Sequence, residues 1–190
     1  MMLEELIRYI RDRIEVNEEE LAVILSHFKP LSLKKNERIL LQGQISQQTF
    51  FVGKGCLRIY FINEEGQEST RYFAFENQFA TALVSFITGK TSDELIQAVE
   101  NTELLYITDK DFHHLLKIIP QWEKFYRIYL EKAYINNTNR LMAFLTLDAA
   151  KKYRQLLEEH PIIVQRLPNK LVASYLNISQ ETLSRLKSKI

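Results

Sequence analysis

The residues best suited to chemistry lie near the C-terminus, on one face of a predicted helix. With Leu183, Leu186 and Ile190 facing the interior, the side chains that face outward are Gln180, Glu181, Ser184, Arg185 and Ser188. In the major groove of DNA, arginine binds guanine O6 and N7, glutamine pairs with adenine, and glutamate accepts from cytosine N4. Lys187 and Lys189 are placed to meet phosphates, which position a protein without reading sequence. The pattern therefore predicts a helix that reads double-stranded DNA.

Residues 169–186 have the pattern of a helix-turn-helix, the element that would present such a helix. Ala173 is small where the two helices would cross. Asn177 occupies the turn, where the backbone must be left-handed, and asparagine tolerates that conformation better than most residues. Ser179 is then the N-cap of the second helix. The apolar interior positions are Val172, Leu176, Ile178, Leu183 and Leu186. An ordinary helical hairpin is the alternative.

Charge is unevenly distributed along the 190 residues, although the formal net charge is only +1. The last 40 residues hold eight lysines and arginines and three glutamates, which gives +5 there and leaves −4 to the first 150. Such an asymmetry points to nucleic acid. Hydrophobic residues make up 46% of the chain and charged residues 26%. These ordinary values exclude collagen-like, disordered and disulfide-scaffold proteins.

Several absences in the sequence narrow the class further. Cys56 is the single cysteine, which excludes an internal disulfide or a multi-cysteine metal site. No apolar run reaches the ~18 residues of a membrane span, and the charged N-terminus does not resemble a signal peptide. Enzyme signatures such as the P-loop are absent, and the adjacent His113 and His114 would point about 100° apart on a helix. We therefore expect a cytoplasmic protein with no membrane partner, no catalytic residue, no metal and no cofactor.

The elements before residue 109 read as helices followed by strands. An apolar stripe begins at Leu3, and Asn17 with Glu20 predicts a helix N-terminus with a capping box. After Pro30, short β-branched and aromatic runs separated by turns predict a β-sandwich or barrel. The clearest hairpin surrounds the turn at 63–66. The runs are 38–41, 49–52, 56–62, 69–75, 95–99 and 103–108, and a short helix is expected over 81–88, closed by Gly89.

A long helix follows, expected over residues 121–147. Asp109 would cap an entry helix through Ile119, and Pro120 would start the long one. About 27 residues span about 40 Å of helix, more than a small domain usually covers. We expect this helix to pair with its own copy. The alternative is a helix buried within its own chain. The pairing residues would be Trp122, Phe125, Ile128, Tyr129, Ile135 and Met142.

The stretch LPNKLVASYLNISQETLSR, residues 167–185, resembles the helix-turn-helix of the Crp/Fnr superfamily of bacterial transcription regulators. The resemblance implies an α+β chain made of an antiparallel β-roll or jelly roll like the cyclic-nucleotide-binding sensor (1–119), a dimerisation helix (120–147) and an all-α DNA-binding domain (148–190). It also implies a homodimer on a roughly palindromic site, with RNA polymerase as a further partner. By position, Gln180, Glu181 and Arg185 would read bases, with Ser179 and Thr182 near the backbone.

Two departures from this family's pattern matter. Cyclic-nucleotide binders of the family carry Gly-Glu before a short helix and Arg-Ser or Arg-Thr after it. Here Ala80 and Thr81, followed by Ala82, stand at the first place, and Ser92-Asp93-Glu94 at the second. Since the phosphate-binding arginine is missing and carboxylates stand beside its place, we expect no response to cyclic AMP. The chain also ends at Ile190, so we expect no full wing after the recognition helix.

An alternative function is a small-molecule-sensing regulator whose roll binds a cyclic nucleotide or another, apolar ligand. The aromatic residues that would line such a site are Phe73, Phe75, Phe79 and Phe86. The sequence leaves the ligand, the operator and the sign of regulation open.

Overall fold

The computed structural model describes residues Met2–Ser188, in which helices at both ends of the chain flank a set of strands. The helices are α1 (Met2–Arg11), α2 (Glu18–Ser26), α3 (Leu83–Thr88), α4 (Asp109–Ile118), α5 (Pro120–Thr146), α6 (Ala149–Glu159), α7 (Pro161–Arg166), α8 (Asn169–Leu176) and α9 (Gln180–Lys187). The strands are β1 (Lys29–Leu33), β2 (Arg38–Leu40), β3 (Gln48–Lys54), β4 (Leu57–Ile62), β5 (Glu68–Ala74), β6 (Phe79–Ala80), β7 (Leu95–Ala98) and β8 (Thr102–Thr108). This order confirms the expected α+β class.

The strands form two four-stranded sheets, ordered β1-β8-β3-β6 and β2-β7-β4-β5. β8 pairs antiparallel with β1 and with β3, and it places Leu104 opposite Leu31 and Tyr106 opposite Phe50. The sequence predicted six of these strands and missed two. β1 escaped notice because Pro30 reads as a helix terminator. A proline is tolerated in a strand at the edge of a sheet, which is where β1 lies.

Local side-chain chemistry sets the helix ends. The predicted capping box of α2 is confirmed: Asn17 Oδ1 accepts from the Glu20 N–H at 2.8 Å, and the Glu20 carboxylate accepts from the Asn17 N–H at 3.1 Å. The cap predicted for α4 is wrong by one residue, because the Thr108 hydroxyl accepts from the Asp111 N–H at 3.1 Å. Asp109 is therefore the first residue inside α4. Pro161 is the first residue of α7, a position at which proline is common.

The chain divides into two compact units, one formed by Met1–Ile59 with Phe73–Leu130 and the other by Tyr60–Tyr72 with Glu131–Ile190. The first unit contains an aromatic-rich core to which α1, α2, α4 and the first turns of α5 contribute. The second unit buries Tyr153, Leu156, Ile163 and Leu167 around the helix pair α8–α9. The predicted boundaries at 119 and 147 follow the order of elements and stay a prediction. Within the described residues, the helices lack an apolar stretch of the length that a membrane crossing requires.

Candidate nucleic-acid interface and sensor segment

Helices α8 and α9 are joined by the tight turn that the sequence predicted. Asn177 adopts the left-handed conformation with φ 51° and ψ 52°, and it ends α8 with its N–H bonded to the Ala173 carbonyl. The Ile178 N–H donates to the same carbonyl at 3.1 Å. The Ser179 hydroxyl then accepts from the Thr182 N–H at 3.1 Å and starts α9. The left-handed turn residue and the N-cap residue of the motif are therefore the ones that the sequence predicted.

The interior of this helix pair is formed by Val172, Ala173, Leu176 and Leu183, each at most 5% exposed. Ile178 and Leu186, which were expected in the same interior, are only half-buried. Ile178 lies in the turn itself, and Leu186 lies in the last turn of α9. At both positions fewer neighbouring elements cover a side chain than at the centre of the pair.

The outward face of α9 presents the five side chains that the sequence placed there. Gln180, Glu181, Ser184, Arg185 and Ser188 are all exposed. The helix that presents these polar groups is thus anchored by the buried side chain of Leu183. The predicted phosphate ligand Lys189 lies outside the described residues.

Hydrogen bonds link Arg185 of this face to two neighbouring side chains, Thr182 and Ser179. The Arg185 guanidinium donates to the Thr182 hydroxyl at 3.3 Å, and that hydroxyl lies 3.1 Å from the Ser179 hydroxyl. Lys187 is half-buried and donates to Asn169 Oδ1 at 2.6 Å. A hydrogen bond from the Ser179 side chain lowers the pKa of the exposed Glu181 carboxyl from its ordinary value. The lowered pKa favours the carboxylate form of Glu181, which is a stronger acceptor for an amino group than the protonated form.

The segment at residues 80–94, which the sequence predicted to be a degenerate ligand site, is closed by its own hydrogen bonds. Ala80, Thr81, Ala82 and Ser92 are each at most 4% exposed. The Thr81 hydroxyl donates to the Gln48 carbonyl at 2.9 Å, and the Ser92 hydroxyl donates to the Glu94 carbonyl at 3.1 Å. Asp93 is exposed. The hydroxyls of Thr81 and Ser92 are thus already bonded to the chain.

A small apolar cleft opens beside this segment in the first unit. About 300 Å³ of space lies in and in front of it, open solvent included, and its lining is almost wholly aromatic and aliphatic. The residues that line it are Thr49, Phe79, Thr81, Leu83, Phe86, Phe112, Phe125, Tyr126 and Tyr129. Of the four phenylalanines proposed for an apolar ligand, Phe79 and Phe86 line the cleft, and Phe73 and Phe75 are buried elsewhere.

The first turns of α5 correct the predicted pairing surface. Trp122 and Phe125 are 0% and 3% exposed and stack on each other with ring centroids 4.5 Å apart. Both belong to the core of the first unit, and Ile128 and Tyr129 pack partly against it. Trp122 and Phe125 are therefore unavailable to a second chain, because α1, α2 and α4 of the same chain cover them. Periodicity alone does not distinguish a helix face buried in its own chain from one that pairs with a second chain.

The second half of α5 presents an apolar face without such cover. Tyr134, Ile135, Leu141, Met142 and Leu145 are 55% to 73% exposed. At about 100° per residue, all five lie within about 60° of Thr138 around the helix. Ile135 and Met142 were predicted pairing residues. The residues Tyr134, Leu141 and Leu145 belong to the same face and were missed, although their spacing of three and four carries the signal.

Sequence reasoning also missed Arg140, on the opposite side of α5. It is half-buried and makes hydrogen bonds of 2.7 Å within the second unit. Burial lowers the pKa of the Arg140 guanidinium from its ordinary value. The acceptors are backbone carbonyls, which leave no trace in the amino-acid sequence.

The histidines do not converge on a metal. His113 Nδ1 lies 2.9 Å from both the carbonyl and the carboxylate of Asp109, and His27 Nδ1 lies 3.4 Å from Asp111. No group of three or more metal-ligating side chains is present in the part of the chain that the structure describes.

Comparison with known proteins identifies the first part of the chain. Residues 30–118 match the family model of the cyclic nucleotide-binding domain. The cyclic AMP receptor protein of Thermus thermophilus is 28% identical over 102 residues, which are 54% of this chain and 47% of that protein. The match thus spans about half the length of the curated relative.

Solved structures extend the likeness in fold to most of the chain. The c-di-GMP responsive global regulator CLP of Xanthomonas campestris has a TM-score of 0.72 at 16% identity, over 91% of each chain. FixK2 from Bradyrhizobium japonicum has a TM-score of 0.74 at 16% identity, over 85% of this chain and 83% of its own. A regulator described as of the crp/fnr family, from Eubacterium rectale, has 0.72 at 18% identity, over 90% and 82%. At these identities the likeness establishes the fold.

Proposed function

We propose that this chain, a Crp/Fnr-type protein with a cyclic nucleotide-binding domain, is a homodimeric DNA-binding transcription regulator that does not respond to cyclic AMP. The observation that carries the DNA-binding part is the outward face of α9. Gln180, Glu181, Ser184 and Arg185 are exposed there, on a helix fixed by the cap at Ser179. No other arrangement of polar groups described above offers base-pair recognition.

Each side chain of this face has a distinct role in the proposal. Arg185 would bind a guanine through two N–H donors, and Thr182 orients it through the hydrogen bond already present. Gln180 would pair with adenine, and the ionised Glu181 would accept from a cytosine amino group. Lys187 and Lys189 would meet phosphates, as would the N-terminal turn of α9 with Ser179. Ser184 and Ser188 complete the surface at the groove.

The homodimer would form through the exposed apolar face of α5 around Thr138. Five large apolar side chains on one helix face are unusual on the surface of a monomer. Pairing two copies of this face would bury them and set two α9 helices about one DNA turn apart, roughly 34 Å. This reading keeps Ile135 and Met142 from the predicted set and adds Tyr134, Leu141 and Leu145. A contact of the bound dimer with RNA polymerase is part of the same proposal.

The absence of a cyclic AMP response follows from the closed segment at residues 80–94. A cyclic phosphate needs a cation or free donors, and a bidentate arginine is the strongest such group. Here Thr81 and Ser92 donate to carbonyls of the chain, and the carboxylates Asp93 and Glu94 flank the site. A phosphate placed beside them would be repelled rather than bound.

A second candidate for the sensor is an apolar ligand in the cleft next to α5. The specific observation in its favour is the lining, in which six aromatic rings surround the empty space. The hydroxyls of Thr49 and Thr81 both donate to backbone carbonyls and leave the lining apolar in character. Since Phe125 and Tyr129 belong to α5, a ligand in the cleft would contact the helix that leads to the pairing face.

A titration with DNA tests the DNA-binding part. Fluorescence anisotropy with the chain's own upstream DNA should give an affinity that falls by at least tenfold between about 50 and 200 mM salt. Arg185→Ala should lose about tenfold or more on the preferred sequence with little change in salt slope. Lys132→Ala, an exposed cation on α5, is the matched control and should bind like the parent. An affinity indifferent to salt contradicts the proposal.

Thermal denaturation with added ligands tests the sensor. Cyclic AMP should leave the melting temperature unchanged, since the segment at 80–94 contains no arginine and the hydroxyls of Thr81 and Ser92 already donate to the chain. A rise of several degrees at modest concentration would contradict this part of the proposal. A rise with an aromatic or fatty acid, abolished by Phe86→Trp, which would fill the cleft, would favour the second candidate.

A further inference from the structure

A guanidinium on α5 joins three parts of the second unit. Arg140 Nη2 donates to the Thr70 carbonyl at 2.7 Å and to the Tyr175 carbonyl at 2.7 Å. Its Cζ also lies 3.9 Å from the centre of the Tyr175 ring. Thr70 belongs to the hairpin of β4 and β5, and Tyr175 belongs to α8. One charged side chain therefore ties the hairpin to the first helix of the DNA-binding motif.

Hydroxyl groups make a second set of contacts between the same two elements. The Thr70 N–H donates to Ser174 Oγ at 3.0 Å, and the two hydroxyls lie 2.7 Å apart. Ser69 Oγ donates to Asn177 Oδ1, the side chain of the turn residue, at 3.3 Å. Thr70 is only 2% exposed. The Thr70–Ser174 bonds are partly buried, whereas the Ser69–Asn177 bond is exposed. The hairpin, defined here as residues 60–72, belongs to the second compact unit.

The docked hairpin has a net negative charge, which would repel the phosphates of DNA. Residues 60–72 contain Glu64, Glu65 and Glu68 against Arg71, a net charge of −2. Asn177, which the hairpin contacts, is two residues before the cap of α9. Docking therefore attaches a net negative segment, through Ser69 and Thr70, to α8 and the turn of a motif that must approach phosphates. Electrostatic repulsion acts over about 10 Å at ordinary ionic strength, so direct contact is unnecessary.

We propose that the hairpin of residues 60–72 is an autoinhibitory element, docked on α8 through Thr70, Ser174 and Arg140, which lowers DNA affinity until it is released. The inference rests on the proposed DNA-binding function. Strands β4 and β5 continue from the hairpin into the sheet β2-β7-β4-β5, so a change in that sheet can be passed to the hairpin along the chain. The outward face of α9 stays exposed in the docked state, so the proposed inhibition is electrostatic and not steric.

Hydrogen exchange in the absence of DNA tests the docking itself. In the full chain, Ser174→Ala removes the acceptor of the Thr70 N–H and should speed amide exchange over residues 68–72 by about tenfold, the scale of one lost hydrogen bond. Ser26→Ala, which removes an exposed hydroxyl of α2, is the matched control and should leave those amides unchanged. Unchanged exchange at 68–72 in Ser174→Ala would overturn the docking.

A double-mutant comparison tests the inhibition. At about 50 mM salt, where charge effects are strong, E64Q/E65Q should raise DNA affinity about threefold or more. The pair T70V/S174A should raise affinity by itself, and adding E64Q/E65Q to it should then change affinity by less than about 1.5-fold. E158Q/E159Q on α6 is the control, because it removes two exposed carboxylates of the same unit and should act equally in both backgrounds.

The outcomes separate this inference from the function on which it rests. An equal effect of E64Q/E65Q in docked and undocked chains, or weaker binding by T70V/S174A with its fold intact, overturns the autoinhibition alone. Absence of DNA binding in every variant, with normal melting temperatures, overturns both. The single variant Ser174→Ala repeats the comparison with the smaller change, should T70V/S174A fail to fold.

Discussion

Replacing Ile135 and Met142 together by glutamate should separate the proposed dimer. The two side chains are each 55% exposed and lie seven residues apart on the same face of α5. Burying a whole side chain of this kind is worth about 1.5 to 3 kcal/mol, so the exposed half is worth roughly 0.8 to 1.6. Each substitution occurs in both chains of a dimer. The pair therefore removes at least about 3 kcal/mol, which weakens dimerisation by about 100-fold or more.

Sedimentation equilibrium of the full chain across protein concentration measures this change. The parent should be a dimer at micromolar concentration, and I135E/M142E should be a monomer. The melting temperature of this monomer should equal that of the parent's monomer. Asn139→Glu is the matched control, since Asn139 is exposed on the same stretch of helix about 100° from Thr138 and outside the apolar face. It should leave the dimer intact.

The same variants separate dimer formation from DNA contact. On a palindromic site, I135E/M142E should lose most of its affinity, whereas on a half-site it should bind as weakly as the parent does. A double variant that stays dimeric at the parent's concentrations would refute the reasoning. The exposed face around Thr138 would then have to serve another purpose.

Three further predictions concern stability and can be checked by thermal or urea denaturation. Leu183→Ala, at a fully buried position, should cost about 2 to 5 kcal/mol; a loss as small as that of the exposed Ser184→Ala would contradict the proposed interior. Ser179→Ala should cost about 1 kcal/mol through the lost N-cap, and no loss would place the start of α9 elsewhere. A hydrogen bond from the Lys151 N–H lowers the pKa of Asp148. The contribution of Asp148 to the free energy of unfolding is therefore present above its unfolded pKa and disappears as pH falls through its folded pKa. Asp148→Asn should flatten this acid dependence of stability, and a dependence identical to the parent's would contradict the role of the cap.

The helix-turn-helix motif was predictable because its signals are local. Asn177 at a left-handed turn and Ser179 as a cap are determined by the backbone within a few residues, and both lie as expected. The capping box at Asn17 is of the same kind. The strand β6 was missed for the opposite reason, since two residues, Phe79 and Ala80, pair with β3 only through tertiary context. Short elements of that type carry no period to detect.

The role of the long helix could be predicted only in part. A 27-residue helix with apolar residues at spacings of three and four must pack against other elements. The sequence does not say whether those elements belong to the same chain or to a second one. For Trp122 the cover comes from the chain's own α4, where Phe112 lies 5.4 Å away between ring centroids. For Ile135 no comparable cluster surrounds the side chain in the described residues. Non-local contacts decide between the two cases, and they are invisible to periodicity.

The charge distribution takes on a different meaning once contacts are known. By segment, the sequence divides into an acidic first part and a basic end, and this division favours DNA. The structure assigns the acidic residues of the hairpin 60–72 to the same compact unit as the basic motif. Under the proposed autoinhibition, the charge that DNA would meet is the sum over a spatial unit and would depend on whether the hairpin is docked. Two forms of the same chain, docked and released, would present different net charges to DNA without any change in α9. A regulator built this way needs no ligand at the reading helix, only one that alters the sheet from which the hairpin extends.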